Sequence, residues 1–387
     1  MRILHLIASM DPRLGGVCQA VRATVAGLTA LGVENEAASL DAPNAAWSQS
    51  DSFAVHALGP GRGPWSYSAQ LRPWLRQHLP RFDAVVLHGL WLYPGYALRR
   101  ALRQLAGPRP RFLVMPHGML DPYFQRASSR RLKAWRNQLY WQLIEHKVVN
   151  GADGLLFTCE TERLLAHEPF APYRPRREMV VGLGVSEPPL YTPAMQAAFL
   201  AQCPELKGRP YLLFLSRIHE KKGVELLVQA HTQLTHEGHA TPALVVAGPG
   251  LDSPYGQAVQ QLAAGPGAPA VFFPGMLTGD AKWGAFYGCE AFVLPSHQEN
   301  FGIAVAEALA CGKPVLISNQ VNIWREVTEA NAGLVANDTA VGTPELLTRW
   351  GQATAQEKYA MAVQARQLYE QRFALETAAL HFLNALK

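Results

Sequence analysis

The stretch HQENFGIAVAEALACGKP at residues 297–314 places two carboxylates, Glu299 and Glu307, around an Asn-Phe-Gly turn and an alanine-rich segment. Short apolar runs, AFVLPS before the stretch and KPVLIS at its end, enclose it. The pattern predicts a strand that ends at Ser296, a helix that begins near Gly302, and then a second strand. Glutamate is also a good helix former, so Glu307 is either a solvated helix residue or part of a binding site.

Apolar runs and amphipathic segments alternate in the same way along the rest of the chain. The first half contains the runs MRILHLIAS, DAVVLHG, RFLVMPHG and DGLLFTCE, and the second half contains RPYLLFLSR, PALVVAGPG, AVFFPG and AGLVAND. This alternation is typical of doubly wound parallel sheets. The proline-rich stretch 169–194, which flanks the short strand MVV, marks the boundary between two such sheets.

We therefore predict an α/β protein with two Rossmann-like doubly wound domains that face each other across an interdomain cleft. The predicted domains are residues 1–185 and 186–370, and residues 371–387 form a C-terminal helical segment. Ligands of open α/β sheets bind beyond the carboxyl ends of the strands, so the loops that follow the strands are the candidate binding segments.

Composition restricts the class of protein. The chain has 387 residues, of which 49% are hydrophobic and 17% charged, which suits two folded domains. The five cysteines form no CxxC pair, so we expect no disulfide framework or thiolate metal site and a reducing, cytoplasmic environment. No apolar stretch is long enough to cross a bilayer, and the start of the chain lacks the pattern of a signal peptide.

Charge is distributed unevenly between the two halves. Residues 1–190 carry 22 Lys and Arg against 14 Asp and Glu, whereas residues 191–387 carry 13 against 16. The basic excess of the first half favours anionic partners such as phosphates or a lipid surface. Nucleic acid generally requires a stronger and more clustered basic face, so we expect no nucleic-acid partner.

Two turns that follow predicted strands suit phosphate groups. Gly15 and Gly16 follow the first strand and open a helix, where free backbone N–H groups attract anions. Arg217 and Lys222 lie five residues apart after the strand PYLLFLS, a spacing that can clamp a diphosphate. Taken alone, the first segment is equally well a plain turn, and the second is more simply interpreted as a solvated basic loop.

The loop before the quoted helix suits a sugar nucleotide. The backbone amides of Asn300, Phe301 and Gly302 are placed to meet a phosphate or a sugar hydroxyl. Glu299 in the loop and Glu307 inside the helix are hydrogen-bond acceptors that would reach different parts of one ligand. Carboxylates pair well with hydroxyls on adjacent carbons of a sugar. The hypothesis is a nucleoside diphosphate sugar, with its sugar on Glu299, its ribose on Glu307 and its diphosphate on the basic pair.

The motifs SRIHEKKG and VLPSHQENFGIAVAEALACGKPV, with the Gly-Gly turn after the first strand, resemble the retaining glycosyltransferases of family four. This family is also called glycosyl transferases group 1, and its members have the GT-B fold. The chain most resembles those members that assemble bacterial polysaccharides. The resemblance extends over nearly the whole chain. It implies that Glu299 contacts the donor hexose, Glu307 binds the ribose, Arg217 and Lys222 bind the diphosphate, and Gly16 lies beside it.

Other positions follow or depart from the family pattern. His117, in VMPHGML, matches a histidine near the transferred sugar, although a histidine after a strand is often structural. His88, in VVLHGLW, has no assigned role and is a candidate for the acceptor side. The family's Pro-Asn-Gly-Val turn is replaced here by residues 182–185, GLGV, so no role falls to that asparagine. The last helix, 373–386, is expected to cross back to the first domain.

The resemblance implies transfer of a hexose-type sugar from a nucleoside diphosphate sugar to a glycan or lipid-linked acceptor, with retention of anomeric configuration. The expected setting is the assembly of exopolysaccharide, O-antigen or another surface glycan. The implied catalytic residues are His117, Glu299, Arg217 and Lys222. No Asp-x-Asp cluster is present, so we expect no metal or other cofactor.

Other candidate functions require different sequence motifs. A non-catalytic subunit that binds sugar nucleotides is the main alternative. A nicotinamide oxidoreductase requires GxGxxG after a strand, which is missing. A phosphorylase of the same fold requires a lysine that carries pyridoxal phosphate.

Segment 125–149 mixes basic and aromatic residues. It contains Arg126, Arg130, Arg131, Lys133, Arg136, Trp135, Tyr140 and Trp141. Either this is a basic amphipathic helix that lies on anionic lipid, or its aromatic residues belong to the core and its basic residues to a solvated face. The first reading predicts peripheral contact with the inner face of the plasma membrane.

Overall fold

The computed structural model describes residues 1–45, 47, 51–126, 131–206, 208–264 and 270–387. The chain forms two compact units. Unit 1 contains Met1–Gly184 and Leu375–Lys387, and unit 2 contains Val185–Ala374. The predicted junctions, after residues 185 and 370, lie one and four residues from these bounds.

Unit 1 contains a parallel sheet of seven strands with the order β3-β2-β1-β4-β5-β6-β7. With labels that follow chain order, its strands are β1 (Arg2–Ile7), β2 (Glu34–Ser39), β3 (Ala54–Ala57), β4 (Ala84–His88), β5 (Arg111–Met115), β6 (Gly154–Phe157) and β7 (Glu178–Val180). Its helices are α1 (Gly16–Ala30), α2 (Leu71–His78), α3 (Tyr93–Leu102), α4 (Tyr123–Arg126), α5 (Arg131–Tyr140), α6 (His146–Val149), α7 (Glu160–Leu165) and α16 (Leu375–Ala385).

Alternation of side chains along β1 explains why both faces of this sheet are covered. Leu4 and Leu6 join the buried cluster beneath α2 and α3, whereas Ile3 joins the cluster beneath α1 and α16. Successive side chains of a strand point to opposite faces, and a parallel sheet is buried on both. The strand order changes direction between β1 and β4, which makes this the switch point of the sheet.

The C-terminal helix α16 belongs to unit 1 because it packs on α1. A Cβ atom on Gly27 of α1 would lie 2.8 Å from Ala379 Cβ and 2.9 Å from the Leu375 carbonyl oxygen, so only glycine allows this close approach. Phe382 of α16 is buried in the same cluster. The contact joins residues that are about 350 positions apart in the chain.

Unit 2 contains a parallel sheet of six strands with the order β10-β9-β8-β11-β12-β13, and its switch point lies between β8 and β11. The strands are β8 (Tyr211–Leu215), β9 (Ala243–Ala247), β10 (Val271–Gly275), β11 (Ala291–Leu294), β12 (Val315–Ser318) and β13 (Gly333–Ala336). The helices are α8 (Pro193–Gln202), α9 (Val224–His236), α10 (Pro254–Leu262), α11 (Gly279–Gly288), α12 (Ile303–Ala310), α13 (Trp324–Glu329), α14 (Gly342–Gln352) and α15 (Ala355–Leu368).

The two parallel sheets with helices on both sides confirm the predicted α/β class. The apolar pattern does not predict β2, whose sequence ENEAAS is polar, or the four-residue β3. The strand before the quoted stretch ends at Leu294, two residues earlier than predicted, and α12 begins at Ile303 as expected.

The predicted helical segment 125–149 is divided into shorter pieces. A π-helical turn, Trp141–Glu145, separates α5 from α6, and α4 lies before them. Residues 127–130, including Arg130 of the predicted basic face, lie outside the described residues, and so does the side chain of Arg131. None of the described helices has the length and apolar character needed to span a membrane.

Candidate functional site

Two loops of unit 2 leave the carboxyl ends of β8 and β11, the two strands at its switch point. The loop after β8 carries Arg217 and Lys222, and the loop after β11 carries Glu299. Arg217 is exposed, and its side chain forms no hydrogen bond or ion pair with any described residue. An exposed cation at a switch point is available to an anionic ligand.

Lys222 forms an ion pair with Glu299. The Lys222 side chain is 8% exposed and its ammonium group donates to Glu299 Oε2. The backbone of Glu299 is held on its other side, because its N–H donates to the Gln320 carbonyl and its own carbonyl accepts from Asn322 N–H, both at 2.9 Å. The structure thus brings together one residue predicted for the diphosphate and one predicted for the sugar. An ammonium has three donors, so Lys222 keeps donors for a ligand while it orients Glu299.

Glu307 forms an ion pair with Lys282, a residue that the sequence pattern does not indicate. Lys282 Nζ of α11 lies 2.6 Å from Glu307 Oε1 and 4.6 Å from the centre of the Trp283 ring. The Glu307 side chain is only 13% exposed, so the cation compensates a nearly buried carboxylate. The motif DAKWGAF gives no local signal for this role, because the partner lies 25 residues away.

The N-terminus of α12 presents free backbone donors. The N–H groups of Phe301 and Gly302 donate to no acceptor within the described part of the chain. Gly302 adopts φ +82°, which favours glycine. The Phe301 side chain is buried and meets Phe373 edge to face at 5.4 Å, so its ring has a packing role. Asn300 lies in the same turn.

His297 ties the Glu299 loop to two neighbouring segments. Its Nε2 lies 3.6 Å from Glu225 Oε1 of α9, and its Nδ1 lies 2.8 Å from Asp338 Oδ2. The carboxylates of Glu225 and Asp338 raise the pKa of His297 to about 9, above the ordinary value of 6.5. The imidazolium form is therefore the one that holds the loop.

Replacing His297 by glutamine is expected to destabilise the protein in a pH-dependent way. Because the folded pKa lies above the unfolded pKa, this stabilisation is fully present below pH 6.5 and is lost as the pH rises through about 9. The melting temperature of His297→Gln should therefore lie furthest below that of the wild type at pH 6, with the gap almost closed at pH 9.5. His236→Gln, at an exposed position on α9, is the matched control. A gap that does not change with pH would contradict the prediction.

In unit 1 the turn after β1 is open. Gly15 adopts φ +102°, and α1 begins at Gly16. No atom lies within 4 Å of a Cβ position built on either residue. The helix N-terminus is therefore accessible to a ligand. A cavity of about 160 Å³ lies at the same switch point, lined in part by Ile7, Ser9 and His88.

His117 lies two residues beyond β5 in a strained turn. It adopts φ +52°, uncommon for a residue with a Cβ, and Gly118 follows with φ +76°. Buried Glu162 of α7 holds this turn, because Glu162 Oε1 accepts from Gly118 N–H at 2.6 Å and Glu162 Oε2 accepts from Thr158 N–H at 2.7 Å. Strain at such a turn persists when its surroundings fix it.

His88 is buried, and its ring is hydrogen-bonded to two other histidines, His5 and His117. His5, Glu162 and Lys282 are further residues of the candidate site that were not predicted from the sequence. The only local signal was the polar His5 inside the apolar strand RILHLI. Among the described residues, no group of three or more His, Cys, Asp or Glu side chains is arranged to hold a metal ion.

Comparisons with known proteins concern the family and the fold of the chain. Residues 15–184 match the family model described as Glycosyl transferase 4-like domain, and residues 197–343 match Glycosyl transferases group 1. The D-inositol 3-phosphate glycosyltransferase of Mycobacteroides abscessus is 31% identical over 219 residues, which are 54% of this chain and 47% of that protein. The chain thus spans about half the length of the curated relatives it matches.

Solved structures share the fold. A glycosyltransferase from Rickettsia africae has a TM-score of 0.77 at 16% identity and covers 100% of this chain and 97% of its own. HepE of Anabaena, solved in complex with UDP, has a TM-score of 0.74 at 15% identity, with coverage of 100% and 99%. At these identities the likeness concerns the fold alone. With a glycosyltransferase model matched in each half and this fold, the chain belongs to the group 1 glycosyl transferases of the family-four type, with the GT-B fold.

Proposed function

We propose that the protein transfers a hexose-type sugar from a nucleoside diphosphate sugar to a hydroxyl of a glycan or lipid-linked acceptor, with retention of anomeric configuration. The proposal rests on the set of cations and carboxylates at the switch point of unit 2. Arg217 and Lys222 follow β8, Glu299 follows β11, and Glu307 lies one helix further in.

The cations suit the leaving group. When the bond between sugar and diphosphate breaks, negative charge develops on the diphosphate. Lys222 offers a buried ammonium. The guanidinium of Arg217 and the N–H groups of Phe301 and Gly302, at the start of α12, are bonded to no described residue and are therefore available to the diphosphate. Such preorganised donors stabilise developing charge without a metal ion, so no cofactor is required in this proposal.

The carboxylates suit the neutral parts of the donor. Glu299 and Glu307 accept hydrogen bonds from the hexose and the ribose hydroxyls, respectively. Lys222 orients Glu299 and Lys282 orients Glu307, each through an ion pair. In the retaining reaction the acceptor attacks from the face that the diphosphate leaves, and the diphosphate takes the acceptor proton. In this proposal His117 lies near the transferred sugar.

Two known proteins support this choice of donor and acceptor classes. The solved HepE structure holds UDP, and one relative of Mycolicibacterium smegmatis is named a GDP-mannose-dependent phosphatidylinositol monomannoside mannosyltransferase. We propose a role in surface glycan assembly, such as exopolysaccharide or O-antigen synthesis.

The test is release of free nucleotide from a panel of UDP-, GDP- and ADP-sugars by the purified protein. We expect slow hydrolysis of one donor, which Glu299→Ala and Arg217→Ala abolish. Arg209→Ala is the matched control, because Arg209 is also exposed but lies before the amino end of β8, at the opposite edge of the sheet. The anomeric configuration of the product, read by NMR, tests retention.

The outcomes separate the candidate functions. If a donor raises the melting temperature but no nucleotide is released, even with glycan acceptors, the protein is a non-catalytic sugar-nucleotide-binding subunit. If no donor binds and none is hydrolysed, the proposal is wrong.

A second proposal concerns the outer face of α5 and the π-helical turn that follows it. Leu132, Trp135, Leu139 and Leu143 are 88%, 71%, 48% and 59% exposed, and their spacing of three or four residues places them in one apolar stripe. Trp141, by contrast, is fully buried, so the segment combines a core aromatic with an exposed apolar face. Arg126 is engaged by Glu168 at 2.7 Å.

A basic groove adjoins this stripe. Arg99, Arg100, Arg103 and Lys147 line a groove of about 420 Å³ that Leu143 also lines. Their side chains form no ion pair with the described residues. An unneutralised basic cluster beside exposed apolar residues complements an anionic phospholipid surface. We propose that this face contacts the inner leaflet of the plasma membrane.

Sedimentation with vesicles tests the membrane proposal. We expect binding to phosphatidylglycerol vesicles at low salt, and a loss of roughly fivefold for Arg103→Ala, since each basic residue near the surface contributes about 1 kcal/mol. Trp135→Ser should also weaken binding, whereas Leu190→Ser, which removes an apolar side chain that is 87% exposed outside the stripe, should not. Absence of sedimentation, or equal binding to phosphatidylcholine vesicles, would refute the proposal.

A further inference from the structure

Three histidines from three neighbouring strands form a continuous hydrogen-bonded row in unit 1. His5 lies on β1, His88 ends β4 and His117 follows β5. His5 Nδ1 lies 3.0 Å from His88 Nε2, and His88 Nδ1 lies 2.9 Å from His117 Nε2. Adjacent rings stack with centroids 5.2 Å apart. We call these residues the histidine row.

Asn35 of β2 fixes the direction of the hydrogen bonds at the buried end of the row. Its Nδ2 lies 2.9 Å from the Val33 carbonyl oxygen, which can only accept, so this atom must be the amide nitrogen. Asn35 Oδ1 therefore faces His5 Nε2 at 3.2 Å. Since an amide oxygen can only accept, His5 Nε2 carries the hydrogen.

Each imidazole of the row is neutral at pH 7. Burial lowers the pKa of His5 and of His117 to about 4, and burial with the neighbouring His117 and His5 lowers the pKa of His88 well below its ordinary value. A neutral imidazole has one donor and one acceptor nitrogen. His5 Nδ1 is thus an acceptor, His88 Nε2 donates to it, and His117 Nε2 donates to His88 Nδ1.

The order of donors leaves His117 Nδ1 with a lone pair. No described residue forms a hydrogen bond with this atom. The opposite tautomer of His117 would place two lone pairs against each other at His88 Nδ1, with no donor between them. The row ends at an amide, which cannot take up a proton, so it does not conduct protons. Its effect is to select a tautomer.

We propose that Asn35, His5 and His88 are positioning residues that hold His117 in its Nε2–H tautomer, so that Nδ1 is an obligate acceptor for a substrate hydroxyl. The functional part of this inference rests on the proposed sugar transfer, in which His117 lies near the transferred sugar. A site built to accept one hydroxyl discriminates strongly against a substrate that lacks it, because its buried acceptor is then left unpaired.

The direct test is a long-range ¹H–¹⁵N correlation spectrum of the full chain labelled with ¹⁵N-histidine, without substrate. His117→Gln identifies the signals of His117. We expect the wild type to show His117 as a neutral ring with hydrogen on Nε2 at pH 7. A ring with hydrogen on Nδ1, or an imidazolium, would overturn the inference whether or not the protein transfers sugar.

Two substitutions at His88 extend the test to function. His88→Leu removes the acceptor for His117 Nε2, so we expect a mixture of His117 tautomers and a fall of about tenfold in kcat/KM, the size of one lost hydrogen bond. His88→Gln can both accept and donate, so it should restore the Nε2–H tautomer and most of the activity. Recovery of the tautomer in His88→Gln without recovery of activity, or a single unchanged tautomer in His88→Leu, would contradict the positioning role.

The outcomes also separate this inference from the proposed function. If no donor is hydrolysed by the wild type, the sugar-transfer proposal fails, while the tautomer of His117 is still measured. If His88→Leu does not fold, the wild-type spectrum still tests the predicted tautomer of His117, and His88→Gln still tests the role of the row.

Discussion

Replacement of Lys222 by methionine is expected to lower turnover of the preferred sugar nucleotide by about 10²–10³-fold, the usual effect of removing one preorganised donor from a developing charge. Methionine keeps much of the length of the side chain and removes the ammonium. Because Lys222 is almost fully buried, water cannot replace its charge efficiently. Initial rates of nucleotide release measure the effect.

Removal of Lys222 also leaves the Glu299 carboxylate without its partner. The single variant is therefore expected to lose stability, whereas the double variant Lys222→Met with Glu299→Gln should recover most of it, since no unpaired charge remains. Thermal melts measure the recovery, and turnover should stay low in both variants. If the double variant regained turnover, the function of Lys222 would be only to neutralise Glu299.

A matched ion pair elsewhere in unit 2 provides the control for Lys222. Lys358 Nζ lies 3.4 Å from Glu290 Oε2, with side chains 28% and 31% exposed. Lys358→Met makes the same change in net charge away from the loops after β8 and β11. It should leave turnover within about twofold of the wild type, because screened pairs near the surface have small effects.

Replacement of Gly223 by alanine is expected to cause a large loss of stability. Gly223 adopts φ +63°, and a Cβ there would lie 2.2 Å from the Pro295 carbonyl oxygen. A left-handed conformation costs a residue with a Cβ about 1–2 kcal/mol, and the collision with backbone adds to it. A total of about 3 kcal/mol corresponds to a fall in melting temperature of about 6–12 °C for a unit of this size.

Gly238 separates the two causes. It has φ +81° with no atom within 4 Å of the Cβ position, so Gly238→Ala tests the left-handed conformation without the collision. We expect a fall of about 2–8 °C for this variant, since the left-handed conformation alone costs about 1–2 kcal/mol. Equal melting temperatures for the two variants would show that the loop after β8 and the end of β11 move apart easily. Gly223→Ala should also weaken donor binding, because Lys222 is the preceding residue.

Local sequence pattern predicted the strands with a largely apolar sequence, whether the strand is fully buried, as β4 is, or only partly buried, as β10 is. Continuous apolar runs identified eleven of the thirteen described strands. They did not identify the polar β2 or the short β3. Helix α12 and its two flanking strands follow from the quoted stretch, since apolar spacing and a glycine at the turn act within a few residues. For the same reason the sequence placed Arg217, Lys222 and Glu299 in loops that follow strands.

Side-chain contacts between residues far apart in the chain could be identified only from the tertiary structure. Lys222 and Glu299 are 77 residues apart, and His5 and His88 are 83 apart, yet each pair is in contact because β8 adjoins β11 and β1 adjoins β4. Nothing local to Lys282 indicated Glu307 as its partner. The sequence by itself thus determined the class of fold and the family motif. It also indicated Arg217, Lys222, Glu299 and Glu307 as the candidate charged residues of the site. Only the tertiary structure decided which charges neutralise each other and which tautomer His117 adopts, because strand order and side-chain packing set those contacts.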